Sequence, residues 1–550
     1  MLKLKNIIWL AALVVTISSC DDYLDTPPVD KITSDGFYQT QAQSEQGILG
    51  IYADLRQASN CMYWFMSECR SDVAWVEPNP DAFREYSEIG TFRATDDMAM
   101  FNDTWNMWYK VIYDANVAIS KIPSASFDSE SIRNQFLNEA YFLRGWAYFE
   151  LVRLFGNVPM VDRPMSPSEI KSVKQSTAVD ILNNRVIPDL KKSEDLPYKA
   201  DMQDANGAKI DKKGRADKMA AKAMLARVYM TLAGYPYNDT NAKSLAKTQL
   251  ENVLDDSHAA AYWAPSLEEW QKQWMPTDAY YNKYSIFAIQ YRTGGTGNPA
   301  IFNMLPVKIV PEDWSKNYNF SQNSIYVEKT LMHEFDHEYS NGKKDGRGYN
   351  FGVMAGFAGD AVAPEYQSPS ELMTFEDGTT GNVYTKAMFY KMIPTKTKIA
   401  SLGMSFDAES GMKKYDDWGV NLPIIRIEDM KLLYAEILAS EGNTADAMKI
   451  VNEIRERANC DPRTETGVSV EDAMKYIKLE RKIEFMGEGI SWFDQVRYGT
   501  WKEDTEAKFE RYNFTELKAN LKEGRYLYPI PMNQMNVTPG LYVQNEGYEN

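Results

Sequence analysis

Cysteine is scarce in this chain, and its scarcity excludes a disulfide-rich fold. Four of the 550 residues are cysteine. Cys20 lies at a predicted processing site, so Cys61, Cys69 and Cys460 remain. An odd number of thiols gives no disulfide framework. We expect Cys61 and Cys69 to be buried thiols, and a pairing between them stays open.

Long apolar runs and excess positive charge are also missing from most of the chain. No stretch beyond residue 19 looks membrane-spanning. The formal net charge is −17, and loss of Lys3 and Lys5 with a signal peptide lowers it by two, to about −19. A chain this acidic is a poor partner for nucleic acid, so we expect no nucleic-acid ligand.

The N-terminus has the pattern of a secretory signal. Lys3 and Lys5 precede an apolar run at 7–17, and two serines stand directly before Cys20. The run is too short for a membrane span, so residues 1–19 are predicted to be a signal peptide. The cysteine after small residues resembles a bacterial lipoprotein cleavage site, which makes Cys20 the expected point of lipid attachment. The alternative is an ordinary signal peptide followed by a chance cysteine.

Apolar residues recur at helical spacing along much of the chain. One run at 140–154 ends at a Gly-Asn-Val-Pro sequence, and a second at 221–232 ends at Gly234. A third at 432–439 ends at Gly442 and is followed by a partner run at 447–458. Paired helices with small residues are typical of tetratricopeptide-type repeats, and a plain helical bundle is the alternative. We predict a mainly α fold built on a tetratricopeptide-like helical-repeat scaffold.

The sequence changes character between about residues 261 and 400. Aromatic clusters, prolines and glycines replace the helical pattern, and a short alternating strand is predicted around 286–291. We therefore divide the chain into a signal peptide (1–19), an N-terminal helical region (20–260), a loop-rich insertion with short strands (261–400) and a C-terminal region (401–550). Loops on a rigid scaffold are where binding residues concentrate.

Several ordered motifs resemble one known family. The C-terminal region contains LPIIRIEDMKLLYAEILASEGNTADAMKIVNEIRERA, then WFDQVRYG at 492–499 and LYPIPMNQ. The N-terminal half contains WNMWYKVIYDANVAISKI at 105–122 and NEAYFLRGWAYFELVRLFGNVP at 138–159. Together they closely resemble the SusD/RagB family of Bacteroidetes nutrient-binding lipoproteins. Ser491, Ile437 and Glu546 depart from the family's pattern, mainly at packing positions, so the expected fold is unchanged.

The resemblance implies a function and a location. Proteins of this family have a helical, tetratricopeptide-like fold, lie on the outer face of the outer membrane, and bind glycans for a SusC-like TonB-dependent transporter. They are generally not enzymes, so no catalytic residue and no cofactor is expected. The acidic sequence CDDYLD after the signal resembles the surface-export signals of such lipoproteins. Whether a structural calcium ion orders the long loops is left open.

Residues 333–337, HEFDH, also match the zinc-peptidase pattern. On a helix, His333 and His337 share a face, and Glu334 could activate a metal-bound water. A zinc peptidase needs a third protein ligand, yet His337 is the last histidine in the chain. Only a downstream carboxylate such as Glu365 or Glu371 could serve. A zinc peptidase is therefore a remote alternative, and we expect no metal.

A glycan receptor needs aromatic rings for the apolar faces of sugars and polar groups for their hydroxyls. We expect the glycan site on loop residues, namely Trp75, Trp274, Tyr280, Tyr281 and Trp314, with Arg292 as a polar contact. The alternative for each ring is core packing, which we expect for Trp105, Trp108, Trp146 and Trp492. Because tetratricopeptide-like surfaces also bind protein segments, a peptide-capturing receptor of the same transporter type is an alternative function.

Overall fold

The computed structural model describes residues 36–62, 65–78, 84–210, 214–275, 283–291, 325–357, 366–375, 378–393, 396–404 and 420–549. Cys20, Tyr280, Tyr281, Arg292 and Trp314 lie outside these ranges, and so does Glu365. Among the described residues, no helix is both long enough and apolar enough to cross a bilayer.

Helices make up most of the regular structure in these ranges, which confirms the predicted mainly α fold. In chain order they are α1 (Gln41–Met62), α2 (Arg84–Gly90), α3 (Ala99–Lys121), α4 (Glu130–Phe155), α5 (Pro167–Ile170), α6 (Ala178–Ile181), α7 (Ile187–Ser193), α8 (Lys218–Ala233), α9 (Thr240–Leu254), α10 (Leu267–Lys272), α11 (Thr330–Asp336), α12 (Lys396–Ser401), α13 (Ile427–Ser440), α14 (Thr444–Arg457), α15 (Val470–Glu484), α16 (Ser491–Tyr498), α17 (Trp501–Arg511) and α18 (Met532–Val537). A π-helical turn at Leu182–Val186 joins α6 to α7.

The long helices begin and end where the local sequence favours it. The side chain of Ser129 accepts a hydrogen bond from the Ile132 backbone N–H at the start of α4, and Asp217 caps α8 in the same way. Helix α4 ends before Gly156, whose φ of 69° is readily adopted by glycine. The helical runs predicted at 140–154, 221–232, 432–439 and 447–458 are thus confirmed.

Paired helices build the scaffold. Helices α8 and α9 pack together, as do α13 and α14, and the two pairs meet through α9 and α13. Four alanines of α8 are fully buried, namely Ala220, Ala221, Ala223 and Ala226, which lets the neighbouring helices approach closely. Helices α1, α3 and α4 form a second packed group, and α4 also contacts α7.

The strands are short, and those in the described residues form two-stranded antiparallel sheets. They are β1 (Ala74–Val76), β2 (Val158–Pro159), β3 (Gln175–Ser176), β4 (Ser285–Ile289), β5 (Ile325–Val327), β6 (Val353–Met354), β7 (Gly356–Phe357), β8 (Tyr366–Gln367), β9 (Ser370–Thr374), β10 (Thr380–Tyr384), β11 (Met388–Phe389) and β12 (Leu422–Arg426). Strand β4 confirms the strand predicted around 286–291. Its pairing with β12 ties the insertion to the C-terminal region.

The core of the C-terminal half contains a buried ionic cluster. The two oxygens of Glu484 accept from Arg426 at 2.9 Å, from Arg457 at 2.9 Å and from Arg347 at 3.0 Å. All four side chains are at most 3% exposed. Burial alone would raise the pKa of Glu484, but the three guanidinium groups outweigh it and hold that pKa well below its usual range. One carboxylate thus joins three separate segments of the chain.

The thiols and the predicted core rings lie inside the protein. Cys69 and Cys460 are free and buried, as expected for Cys69. The side chain of Cys61 is outside what the structure describes. The four tryptophans predicted to be core residues are at most 3% exposed: Trp105, Trp108, Trp146 and Trp492.

Candidate functional site

Trp75 belongs to the core and not to an exposed platform, so its predicted exposure is wrong. The side chain is 4% exposed. Its ring stacks on Tyr512 with centroids 3.9 Å apart and planes 9° apart, and Phe514 lies 5.5 Å away. Strand β1 also places Trp75 opposite Tyr326 of β5. The faces that a sugar would need are covered by other parts of the chain.

Trp274 is likewise buried, and its predicted exposure is also wrong. The residue is 1% exposed and meets Trp270 edge to face at 5.8 Å. The Nζ atom of Lys391 lies 5.1 Å from its ring centroid, and the guanidinium carbon of Arg426 lies 5.4 Å away. Both distances fit cation–π contacts. Trp274 therefore packs beside the buried ionic cluster.

The other predicted glycan-binding residues lie outside the described residues. Tyr280, Tyr281, Arg292 and Trp314 therefore stay predictions. The described neighbours of this part of the chain are strand β4, which precedes Arg292, and strand β5, which begins at Ile325.

A partly exposed ion pair lies beside the β1–β5 ladder. Glu77 follows β1 directly, and both of its carboxylate oxygens are within 3.1 Å of Lys386 Nζ. The two side chains are 35% and 39% exposed. Lys386 Nζ also lies 5.5 Å from the ring centroid of Tyr326. A carboxylate and an ammonium group beside an aromatic ring can accept from and donate to sugar hydroxyls.

The sequence alone does not reveal this pair. Glu77 lies only two residues beyond Trp75, but Lys386 is 309 residues further along the chain. No spacing rule connects two such positions. The usable signal was the position of Glu77 in the same proline- and asparagine-rich stretch as Trp75.

The ladder beneath the ion pair is held firmly. The backbone N–H of Glu328 donates to the Val73 carbonyl at 2.9 Å, and that of Lys329 donates to the Tyr512 hydroxyl at 3.0 Å. The Glu328 carboxylate accepts from Arg511 Nε at 3.1 Å. Burial, with a smaller effect of Glu328, raises the pKa of Tyr512 well above its usual range. The phenol therefore stays neutral and can receive this N–H at any ordinary pH.

The HEFDH segment does form a helix, but its side chains point to other partners. Helix α11 ends at Asp336, and His337 already has an extended backbone with ψ of 127°. The His333 ring stacks on Phe375 at 3.8 Å, and Glu334 lies 3.7 Å from Arg463. In the described part of the chain, no three His, Cys, Asp or Glu side chains gather into a group that could hold a metal ion.

Comparison with family models gives two matches. The model of the SusD family matches residues 181–548. A second model, described as "Starch-binding associating with outer membrane", matches residues 22–230.

Known proteins resemble the chain over nearly its whole length. SusD-like protein P38 of Formosa agariphila is 24% identical over 523 residues, which is 90% of this chain and 92% of that protein. The crystal structure of a SusD homologue from Bacteroides thetaiotaomicron has a TM-score of 0.73 at 19% identity and covers 94% of this chain and 98% of its own. A laminarin-binding SusD-like protein has a TM-score of 0.61 at 21% identity and covers 93% of this chain and 100% of its own.

Proposed function

The chain belongs to the SusD family, and from this premise we propose that it is a lipid-anchored cell-surface protein that captures oligosaccharides or polysaccharides and delivers them to a SusC-like TonB-dependent transporter. The observation that carries the proposal is the family match over residues 181–548. The starch-binding description of the second family model and the laminarin-binding relative support a carbohydrate ligand. The protein binds its glycan and does not convert it.

Location follows from the N-terminus. In this proposal the lipid on Cys20 holds the protein in the outer membrane, and the folded part faces the medium. The match to a family model described as associating with the outer membrane supports that location.

The Glu77–Lys386 pair contributes polar contacts to the glycan in this proposal. A carboxylate accepts two hydroxyl hydrogens, and an ammonium donates to hydroxyl oxygens. Because the side chains are 35% and 39% exposed, a sugar can reach them without unfolding the ladder. The pair sits on a base fixed by the Trp75–Tyr512 stack.

Affinity electrophoresis tests the proposal. The protein lacking residues 1–20 is run through native gels that contain laminarin, starch or other plant, host and microbial polysaccharides. Retardation by at least one glycan is expected. The charge-neutralising variant Lys386→Met should weaken that retardation about three- to ten-fold, since charge-assisted hydrogen bonds are worth about 1 kcal/mol or more.

A matched control tests whether weaker retardation depends on the position of Lys386 or only on the loss of one positive surface charge. Lys247 pairs with Glu441 at 2.7 Å, and their side chains are 35% and 41% exposed, so this pair closely resembles Glu77–Lys386. Lys247→Met should leave retardation unchanged. Equal losses in the two variants would show that the ion pair beside the ladder has no special role. No retardation of the wild-type protein by any glycan would count against glycan capture itself.

A further inference from the structure

A small cavity of about 20 Å³ lies where five helices meet. Its lining residues come from α4, α8, α13 and α15, and from α16 with the two residues before it. About 10–15 Å³ is enough for one water-sized particle, so the cavity has room for one such particle and not for a larger ligand. Thr231 of α8 and Ile490 before α16 are only half-buried, which gives small ions a way in from solvent.

Positive charge prevails in the lining. Four of its side chains are arginines and two are aspartates. The arginines are at most 9% exposed: Arg153, Arg227, Arg481 and Arg497. Glu150 binds Arg153 and Glu436 binds Arg497, but neither glutamate lines the cavity. A particle in the cavity therefore has more positive than negative charge directly around it.

Arg153 lines the cavity and has an N–H group to spare. Its Nε donates to Glu150 Oε2 at 2.9 Å, and its Nη2 donates to the same oxygen. Its Nη1 has no hydrogen-bond partner among the described residues. Phe493 and Phe149 hold the guanidinium in place, with ring centroids 3.7 Å and 4.5 Å from its central carbon. Because Nε and Nη2 face Glu150, Nη1 lies on the side away from it and is available to a ligand in the cavity.

The first turn of α16 supplies further donors without partners. Its N-cap residue is Ile490, whose side chain cannot accept a hydrogen bond. The first intrahelical bond runs from the Asp494 N–H to the Ile490 carbonyl. The backbone N–H groups of residues 491–493 therefore have no acceptor in the described part of the chain. Such a helix N-terminus favours an anion.

The carboxylates of the lining are already occupied. Asp429 accepts from Arg481 at 2.8 Å and from Arg227 at 2.6 Å. Asp494 accepts from Arg481 and from Arg497, both at 2.8 Å. A water molecule needs acceptors for its two hydrogens, whereas an anion needs donors alone. The groups left without partners are donors, so they favour an anion over water.

We propose that this cavity binds one chloride ion. The ion accepts from Arg153 Nη1 and from backbone N–H groups at the start of α16, and it thereby ties α16 to the N-terminal helices α4 and α8. Chloride is monatomic and only slightly larger than a water molecule, so it fits the volume, whereas sulfate, phosphate and carboxylates do not. The site shares no residue with the Glu77–Lys386 pair, so it is independent of the proposed glycan contacts.

Anomalous diffraction with bromide, which takes the place of chloride, tests the location of the ion. Crystals of the protein are grown without halide, soaked in sodium bromide and measured at the bromine absorption edge. An anomalous peak is expected in the cavity, within hydrogen-bonding distance of Arg153 Nη1. The absence of a peak there, which would leave water as the occupant, overturns the proposal.

Chloride binding in solution is measured from the width of the chlorine NMR line, which broadens when chloride exchanges onto a protein. Arg153→Gln should weaken binding at least about ten-fold, because a charge-assisted donor is lost. Arg144→Gln is the matched control. Arg144 is 3% exposed, is bound by Asp189 at 2.7 Å and does not line the cavity, so this variant should bind chloride as the wild type does.

A second variant keeps the test decisive if the loss of Arg153 prevents folding. Thr231→Met retains all four arginines and adds bulk to the lining, so it should also weaken binding at least about ten-fold. Circular dichroism checks that each variant is folded. The proposal is also overturned if the wild type gives no excess broadening, if both variants of the lining bind chloride like the wild type, or if Arg144→Gln loses as much affinity as Arg153→Gln.

Discussion

Replacing Trp75 with alanine should unfold the protein more easily, because the ring is part of the core. A tryptophan side chain buries about 200 Å² on folding. At about 25 cal/mol per Å², that area is worth about 5 kcal/mol, and compaction of the unfolded chain reduces the figure to about 3–4 kcal/mol. The stack on Tyr512, with planes 9° apart, adds about 1 kcal/mol. We therefore expect Trp75→Ala to lower the free energy of unfolding by about 4–5 kcal/mol.

Equilibrium urea unfolding followed by circular dichroism measures this loss. Circular dichroism is preferred because the substitution removes a fluorophore. Tyr113→Ala is the matched control, since Tyr113 is 45% exposed on α3 and should change stability by less than about 1 kcal/mol. If Trp75→Ala loses less than about 1 kcal/mol while glycan binding disappears, the ring is a sugar platform and the core assignment is wrong.

Three further outcomes are expected. Glu484→Gln should cost about 3–5 kcal/mol in the same unfolding assay, because three buried guanidinium groups lose a shared charge partner; a cost below about 1 kcal/mol would contradict the role of the cluster. Burial raises the pKa of Glu68 to about 8, above its unfolded value, so its proton stabilises the folded state most below the unfolded pKa, and this contribution is lost as pH rises through about 8. The stability of the wild type relative to Glu68→Gln should therefore fall between pH 6 and pH 9, and a rise would refute the assignment. Protein purified without added metal should contain far less than one equivalent of zinc, and His333→Ala should not change the amount; one equivalent that is lost on substitution would restore the zinc-peptidase alternative.

The helices were predictable from the sequence because their causes are local. The run at 221–232 has small and apolar residues at helical spacing, an Asp217 cap before it and Gly234 after it, and the structure has α8 over Lys218–Ala233. Strand β4 was predictable for the same reason, since alternation and the turn residues around it are local signals. Such elements can be predicted without knowing which distant residues pack against them.

The candidate site was harder to predict because its contacts are distant in sequence. Trp75 is buried by Tyr512, and Trp274 lies against Lys391 and Arg426, which follow it by more than a hundred residues. The local sequence around an aromatic ring in a loop-like segment looks the same whether the ring is buried by a distant part of the chain or exposed to solvent. The sequence therefore did not show which groups in the stretch around Trp75 are buried and which are exposed.

The burial of these rings changes how binding data on this protein must be interpreted. A ligand that binds only the folded state stabilises it. A variant that is partly unfolded therefore binds with lower apparent affinity, because part of the binding free energy is used to fold it. Trp75→Ala could thus lose apparent glycan affinity even if no sugar touches the ring. Lys386→Met removes a partly exposed charge and leaves the ladder intact, so its affinity should fall without a matching loss of stability. The ratio of the two effects, measured on both variants, separates residues that hold the site in place from residues that contact the glycan.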